Sequence, residues 1–423
     1  MRVAAALVAV TAVSVLLKLG ALDAGYWIDE AIAVGIASHE PGEIPALLRQ
    51  DGSPPLYFLL LHGWMALAGE GEAATRALSL LFAALAVPVA WWAGGRRAAV
   101  VAAICPILGV YAQETRMYSL VAVLSLVAVG AFVKGHRVLL VGALVALLYT
   151  HTWGVFLAVP LIALSRDRLM VGPAVAVLYL PWLPSLAFQA LHTGAPWSLA
   201  PSVLYLVPVA LLVAWRPRDR FVLVAAAGIA LAWAASQITP AWSPRYLFVF
   251  FGPLLLLVAR RPSWAVAGLA VALVLAGTPI KSNARAVAAS VAPSVRPGDL
   301  VICTQPEQVP VLYRYLPADV KYLTPLGTPA DPSLTDWRDA LPALRRGTAE
   351  RVLEPHLAGV RRVVLVMPVY RHPRSPWARV VARRTREWRA YVRARFESAG
   401  ATSHPDPARF RSTVRAEIYS LRP

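Results

Sequence analysis

A polytopic α-helical membrane protein of about eleven spans, followed by a water-soluble α/β domain, is the fold class this sequence predicts. Two observations predict it. Of the 423 residues, 58% are hydrophobic and only 15% are charged, too apolar a mixture for a water-soluble chain. The distribution also breaks near residue 280. Before it, long apolar runs alternate with short Arg-containing breaks; after it, 24 Lys and Arg stand against 12 Asp and Glu, which places +12 of the +18 net charge there. The chain therefore divides into a membrane module at 1–280, with a first outer loop at 23–75, and a soluble domain at 281–423. Cys105 and Cys303 are the two cysteines, so neither a disulfide framework nor a cysteine metal site is expected.

Spans are expected at 3–22, 76–93, 98–112, 116–133, 138–150, 152–164, 169–188, 201–215, 221–237, 246–259 and 264–280. The first is long enough to span, and Ala21-Leu22-Asp23 is a poor cleavage site, so it reads as an uncleaved helix. With the N-terminus inside, twelve basic residues, among them Arg96, Arg97, Arg166, Arg216 and Arg260, fall on the inner side. Only Arg49, Arg76, Arg116 and Arg245 fall outside, the bias that sets orientation in membranes. An odd number of spans then makes the soluble domain extracytoplasmic. Residues 138–164 are long for one upright span, and charge favours two short helices hinged at Tyr149-Thr150-His151-Thr152. A further apolar run, 54–69, would break the parity; it reads as an amphipathic or re-entrant helix started by its Pro pair.

In the soluble domain, 299–303, 320–323 and 362–366 are β-branched runs bounded by Pro, Gly or charge. Between and after them, 308–316, 337–346 and 377–396 suit helices, the last with an apolar stripe from Trp377 to Phe396. The order suggests a partly parallel sheet. Its basic surface can meet anionic headgroups or an anionic glycan, or can simply be a solvated face.

Nine of the eleven acids of the membrane part fall outside, among them Asp29, Glu30, Asp51 and Glu114. The outer motifs are YWIDEA at 26–31, DGSPPLYFLLLHGW at 51–64, TRALSLLFAALAVP at 75–88, YAQETRMYSL at 111–120, YTHTWG at 149–154 and SPRYL at 243–247. Together and in this order they resemble the membrane glycosyltransferases of the GT-C fold, the group that includes protein O-mannosyltransferases and the lipid A aminoarabinose transferase. The resemblance covers residues 1 to about 260. One departure is Ser53, where several relatives carry a Lys or His before Pro-Pro-Leu.

The resemblance implies a polyprenyl-phosphate-linked sugar as donor, an envelope glycan, lipid or protein as acceptor, the bilayer as medium and the bacterial plasma membrane as location; a nucleic acid is not an expected partner. It implies Asp29 as general base, with Glu30 orienting it or the acceptor. Arg76, Arg116 and Arg245 are the cations available to a leaving phosphate, and Arg offers it bidentate contacts. Glu114 is then an acceptor-positioning acid, and Asp51, His151 and Tyr246 substrate contacts. Each has a simpler alternative. Asp29 suits the N-cap of a helix over 31–38, Arg76 an interfacial anchor, Glu114 and Arg116 a plain ion pair, Asp51 a cap for the Pro-Pro-Leu helix, His151 an interfacial histidine and Tyr246 an interfacial aromatic belt. No cofactor is expected with certainty; Asp29, Glu30 and Glu114 are oxygen ligands that suit a divalent cation. Two other functions remain open, a transporter of lipid-linked sugars and a transferase of larger lipid-linked glycans.

Overall fold

Apolar runs bury no side-chain group that competes for backbone hydrogen bonds, and they fold as helices throughout the first 260 residues. The computed structural model describes residues 2–260, 281–402 and 412–421. In chain order the helices are α1 (Arg2–Leu16), α2 (Ile28–Ala37), α3 (Ile44–Asp51), α4 (Leu56–Ala68), α5 (Glu72–Ala103), α6 (Pro106–Ala112) and α7 (Tyr118–Lys134). They continue with α8 (Arg137–Thr150), α9 (Gly154–Leu164), α10 (Arg168–Tyr179), α11 (Leu183–His192), α12 (Val207–Trp215), α13 (Arg220–Ile238) and α14 (Phe251–Ala259). Among the described residues three helical stretches are long and apolar enough to cross a membrane, Glu72–Ala103, Arg168–His192 and Arg220–Ile238. The expected span 264–280 lies outside the described residues.

Two expected breaks have a local cause. In α5 the helical ladder is interrupted at Gly95, whose φ of 78° and ψ of −169° suit glycine alone, and Arg96-Arg97 follow at once. The hinge expected after Tyr149 is present: α8 stops at Thr150, His151 takes an extended conformation, and α9 starts at Gly154. The Pro-Pro-Leu run forms α4, thirteen residues long and so about 20 Å, short of a bilayer core.

Packing cuts the chain differently from the linear boundary at 280. One compact unit comprises the described residues of Met1–Leu22, Ser53–Phe188 and Ser198–Thr278; the other comprises those of Asp23–Gly52, Gln189–Trp197 and Pro279–Pro423. In the first, α7 packs against α5, α8 and α14. Ser125 of α7 fixes the last of these contacts, since its hydroxyl donates to the Val249 carbonyl at 2.7 Å and accepts from the Gly252 N–H at 2.9 Å. Lys18 is buried where α1 ends, and its ammonium donates to the Ser14 carbonyl, the Ser14 hydroxyl and the Ala103 carbonyl.

The second unit is built on a five-stranded sheet in the order β2-β1-β3-β5-β4. The three expected strands, β1 (Leu300–Cys303), β2 (Lys321–Leu323) and β3 (Arg362–Pro368), pair in parallel, with Leu300 opposite both Lys321 and Val363. Two further strands complete it antiparallel, β4 (Phe396–Ala401) and β5 (Val414–Leu421). The helix Pro376–Arg395 lays Trp388 and Val392 on Leu365, Met367 and Tyr419.

Residues 23–52 of the first loop are part of this unit. The Tyr315 hydroxyl accepts from the Tyr26 N–H at 2.7 Å, His39 Nε2 meets Asp331 Oδ2 at 2.8 Å, and the Trp337 N–H donates to the Gln50 carbonyl at 3.0 Å. The 189–197 segment joins the same packing, Gln189 bonding the Leu48 carbonyl at 2.8 Å and Trp197 meeting Trp337 with ring centroids 4.6 Å apart. A close backbone approach is at Gly35 of α2, where an added Cβ would stand 2.0 Å from the Ser333 carbonyl oxygen. Gly35→Ala, which in an open helix stabilises by roughly 1 kcal/mol, is therefore expected to destabilise this unit, by about 1–3 kcal/mol for overpacking. Thermal denaturation followed by proteolysis of the soluble domain checks this, and a more stable Gly35→Ala protein would contradict the clamp.

Candidate active site

Asp29 and Glu30 are carried by α2. Its N-cap is Trp27, in an extended conformation, so Asp29 is the second helical residue and not the cap that sequence spacing allowed. Trp27 has no side-chain acceptor to offer the helix. The capping is done from the other end, by Glu30, whose Oε2 accepts the Trp27 N–H at 3.4 Å. Glu30 is buried at 1% exposure, whereas Asp29 is half-buried. The two acids that looked equivalent in sequence thus differ: one closes the helix and the other is accessible.

The surroundings of α2 come from the soluble domain's own residues. The Lys281 ammonium lies 5.5 Å from the Trp27 ring centre, and the Arg314 guanidinium 5.7 Å from that of Tyr26. α2 packs on the segments Pro306–Gln308 and Val309–Tyr313. The charge of Asp29 is felt at Glu307, a buried carboxyl whose Oε1 accepts from Gln305 Nε2 at 2.7 Å and from Trp377 Nε1 at 2.8 Å. Asp51 closes α3, ahead of Gly52 in the left-handed region. The N-cap position of the Pro-Pro-Leu helix α4 is Pro55.

In the helical unit Arg116, His151, Arg245 and Tyr246 come together. Three connections converge: 113–117 between α6 and α7, 151–153 between α8 and α9, and 239–250 between α13 and α14. Glu114 is 1% exposed and Arg116 9% exposed. The start of α5 touches the first connection, with Thr75 and Thr115 hydroxyls 2.8 Å apart and the Ser79 hydroxyl donating to the Arg116 carbonyl at 3.2 Å. His151 is buried, accepts the Trp153 N–H on Nδ1 at 3.1 Å, and lies within electrostatic reach of both Arg116 and Arg245. With Nδ1 accepting, Nε2 of a neutral His151 is a donor.

Aromatic rings connect these residues. Tyr246 stands 5.1 Å from His151 and 5.2 Å from Trp153, centre to centre, and the Arg245 guanidinium lies 5.5 Å from the Tyr246 ring. Tyr111 joins Tyr118 at 4.5 Å and Phe248 at 4.6 Å. Beside Trp153 an open apolar groove of about 360 Å³ is lined by Trp153, Phe156, Ala235, Ser236 and Ile238 among others. Arg76 is buried, and its Nη1 donates to the carbonyls of Ala21 and Leu22, at 3.3 and 2.8 Å, which ties the start of α5 to the end of the first apolar segment.

No protein-family model matches the chain and no curated protein matches its sequence. Solved structures do match. ArnT from Cupriavidus metallidurans in the apo state aligns with a TM-score of 0.59 at 15% identity, covering 99% of this chain and 97% of that one. The chain has the ArnT fold. A second ArnT structure from the same organism, bound to undecaprenyl phosphate, aligns with a TM-score of 0.58 at 15% identity and the same coverage. The fold implied by the outer motifs is thus the one observed, and it extends beyond residue 260 to nearly the whole chain.

Sequence reasoning missed Lys281 and Glu307, which surround α2. Their signal was faint: Gln305, Glu307 and Gln308 are polar residues that follow the apolar strand β1 and are nonetheless buried. Among the described residues no group of three or more His, Cys, Asp and Glu could hold a metal ion. The Glu30 assignment is checked by stability. Glu30→Ala is expected to cost about 1 kcal/mol, the usual loss for a cap, while Glu30→Gln, which retains an acceptor oxygen, is expected to cost much less, both read by thermal denaturation.

Proposed function

We propose that this chain is an inverting membrane glycosyltransferase that moves one sugar, mannose- or arabinose-like, from a polyprenyl-phosphate donor to an acceptor on the extracytoplasmic face. The observation that carries the reading is the match of fold along 99% of the chain to ArnT, one structure of which holds undecaprenyl phosphate. In the reaction an acceptor hydroxyl attacks the anomeric carbon, a new glycosidic bond forms, the bond from carbon to phosphate oxygen breaks, and polyprenyl phosphate leaves with its charge. Asp29 takes the hydroxyl proton. Its half-exposed place in the first turn of α2 supports that role.

Arg116 and Arg245 stabilise the leaving phosphate, which fixed cations do best when they are already oriented. Burial of Arg116 and the ring of Tyr246 beside Arg245 support this. His151 adds an Nε2 donor, and Glu114 and Asp51 contact substrate. The groove beside Trp153 seats the prenyl units nearest the phosphate, an apolar ligand on an apolar lining. Arg76 acts by holding the start of α5. A divalent cation on Asp29 or Glu114 is a separate question, answered by assay before and after EDTA treatment.

The assay supplies purified protein in nanodiscs with labelled polyprenyl-phosphate mannose or arabinose and an acceptor glycan. Asp29→Asn is expected to lower kcat by about 10²–10⁴, the usual share of a general base; undiminished transfer would remove Asp29 from the role. Arg245→Ala is expected to raise the donor KM about tenfold to a hundredfold, the value of one or two charge-assisted hydrogen bonds, with the acceptor KM unchanged. Net movement of labelled lipid into vesicles without a glycosidic product would favour a transporter.

Orientation is tested through a single thiol. Cys105 and Cys303 are buried, so Ala394→Cys, at an exposed position of the soluble domain, supplies an accessible cysteine. Labelling by a membrane-impermeant reagent is expected on intact cells; labelling only after lysis reverses the topology.

A further inference from the structure

Three observations in the soluble domain meet at Glu307. The first is topological. β1 has parallel neighbours on both sides, β2 on one and β3 on the other, and the chain visits β2 before crossing to β3. The carboxyl end of β1 is therefore the switch point of the sheet, where open α/β sheets bind ligands. Thr304, Gln305, Glu307 and Gln308 follow directly from that end, and all are buried.

The second is the state of the carboxyl group. Oε1 of Glu307 is saturated by Gln305 and Trp377, whereas Oε2 is buried with no hydrogen-bond partner among the described residues, and no Lys, Arg or His forms an ion pair with the group there. Anchoring Trp377 needs only an acceptor oxygen, which a glutamine supplies without the cost of burying an acid. The second oxygen is what a structural role leaves unexplained.

The third is proximity to the proposed base. α2 packs on the segment that carries Glu307, and the Asp29 charge reaches it. Both residues belong to one compact unit.

We propose that Glu307 is a substrate-binding carboxyl of the transfer site, its second oxygen engaging a sugar hydroxyl at the carboxyl end of β1. This rests on the glycosyltransferase reading. Burial pushes the Glu307 carboxyl up, against the hydrogen bonds from Gln305, from its own backbone N–H and from Trp377, and the Asp29 charge adds to the upward shift. A neutral hydroxyl fits that environment better than a phosphate, for which the group offers no cation, and the neighbouring amides of Gln305 and Gln308 are the other polar groups that sugar hydroxyls pair with. The hydroxyl belongs either to the transferred sugar or to the acceptor glycan.

The test compares wild type, Glu307→Gln and Glu307→Ala as full chains in nanodiscs, with Asp29→Asn as the control for chemistry. Glu307→Gln keeps the acceptor for Trp377, so its melting temperature is expected within about 2 °C of wild type, given that the retained bond is worth about 1 kcal/mol. Its kcat is expected to stay within about threefold, while one KM rises about tenfold, the worth of one hydrogen bond to substrate. A rise for the lipid-linked donor assigns the hydroxyl to the transferred sugar; a rise for the acceptor assigns it there. Unchanged KM for both substrates overturns the proposal, as does a loss of kcat in Glu307→Gln that tracks a fall in melting temperature. Should wild type transfer no sugar, the enzymatic reading fails on its own, and saturation-transfer NMR with methyl mannoside and methyl arabinoside decides for Glu307: signal in wild type but not in Glu307→Gln supports the site, and equal signal or none in wild type removes it.

Discussion

The backbone of α2 meets the backbone at Ser333 with no room for a single methyl group between them, and the place of Asp29 depends on that contact. A helix held at Gly35 near its end, with Tyr26 bonded to Tyr315 just before its start, has little freedom to slide or roll. Asp29 lies on the helix that packs against the segment bearing Glu307. The linear boundary places the whole first outer loop with the membrane module; residues 23–52 of it pack instead in one unit with the chain beyond 279.

The helical unit solves a different problem, that of gathering cations in apolar surroundings. Guanidinium groups there need acceptors or aromatic faces, and the three convergent connections supply them. Tyr246 lies under Arg245 and is also in ring contact with His151 and Trp153, so one tyrosine ties together two of the connections. Backbone serves as well: the Ser79 and Thr75 hydroxyls hold the Thr115–Arg116 stretch against the first turns of α5. The break at His151 is part of this arrangement, since a continuous helix through 138–164 would leave no connection at that point to bring His151 and Trp153 to Tyr246.

Most of the helical unit was legible in the sequence because the bilayer sorts residues by hydropathy, one at a time, with no need to know what touches what. The sheet was legible where its strands are buried on both faces. β1 and β3 are continuous β-branched runs, whereas β5 carries Arg415, Glu417 and Ser420 among its apolar residues and was passed over. The N-cap alternative for Asp29 fails because capping signatures look for an oxygen at the cap itself; here a tryptophan holds that place and Glu30 bonds back to it. The joining of 23–52 and 189–197 to the soluble domain was not legible at all. It depends on contacts across hundreds of residues, such as His39 with Asp331 and Gly35 with Ser333, and nothing local at either end announces them.

Buried charge is often taken as a mark of function, and Lys18, Arg76 and Glu307 show what refines that inference. Lys18 has three N–H donors and three acceptors within hydrogen-bond distance, all from its own unit. Its capacity is filled, and joining the end of α1 to the end of α5 accounts for it. Arg76 directs one nitrogen to two carbonyls at the end of the first apolar segment, which gives it a structural duty whatever else it does. Glu307 has one oxygen with two donors and one with none among the described residues. Burial alone treats the three alike. Capacity left over after the structural bonds are counted separates them, and by that measure the group to watch lies at the end of a strand in the soluble domain.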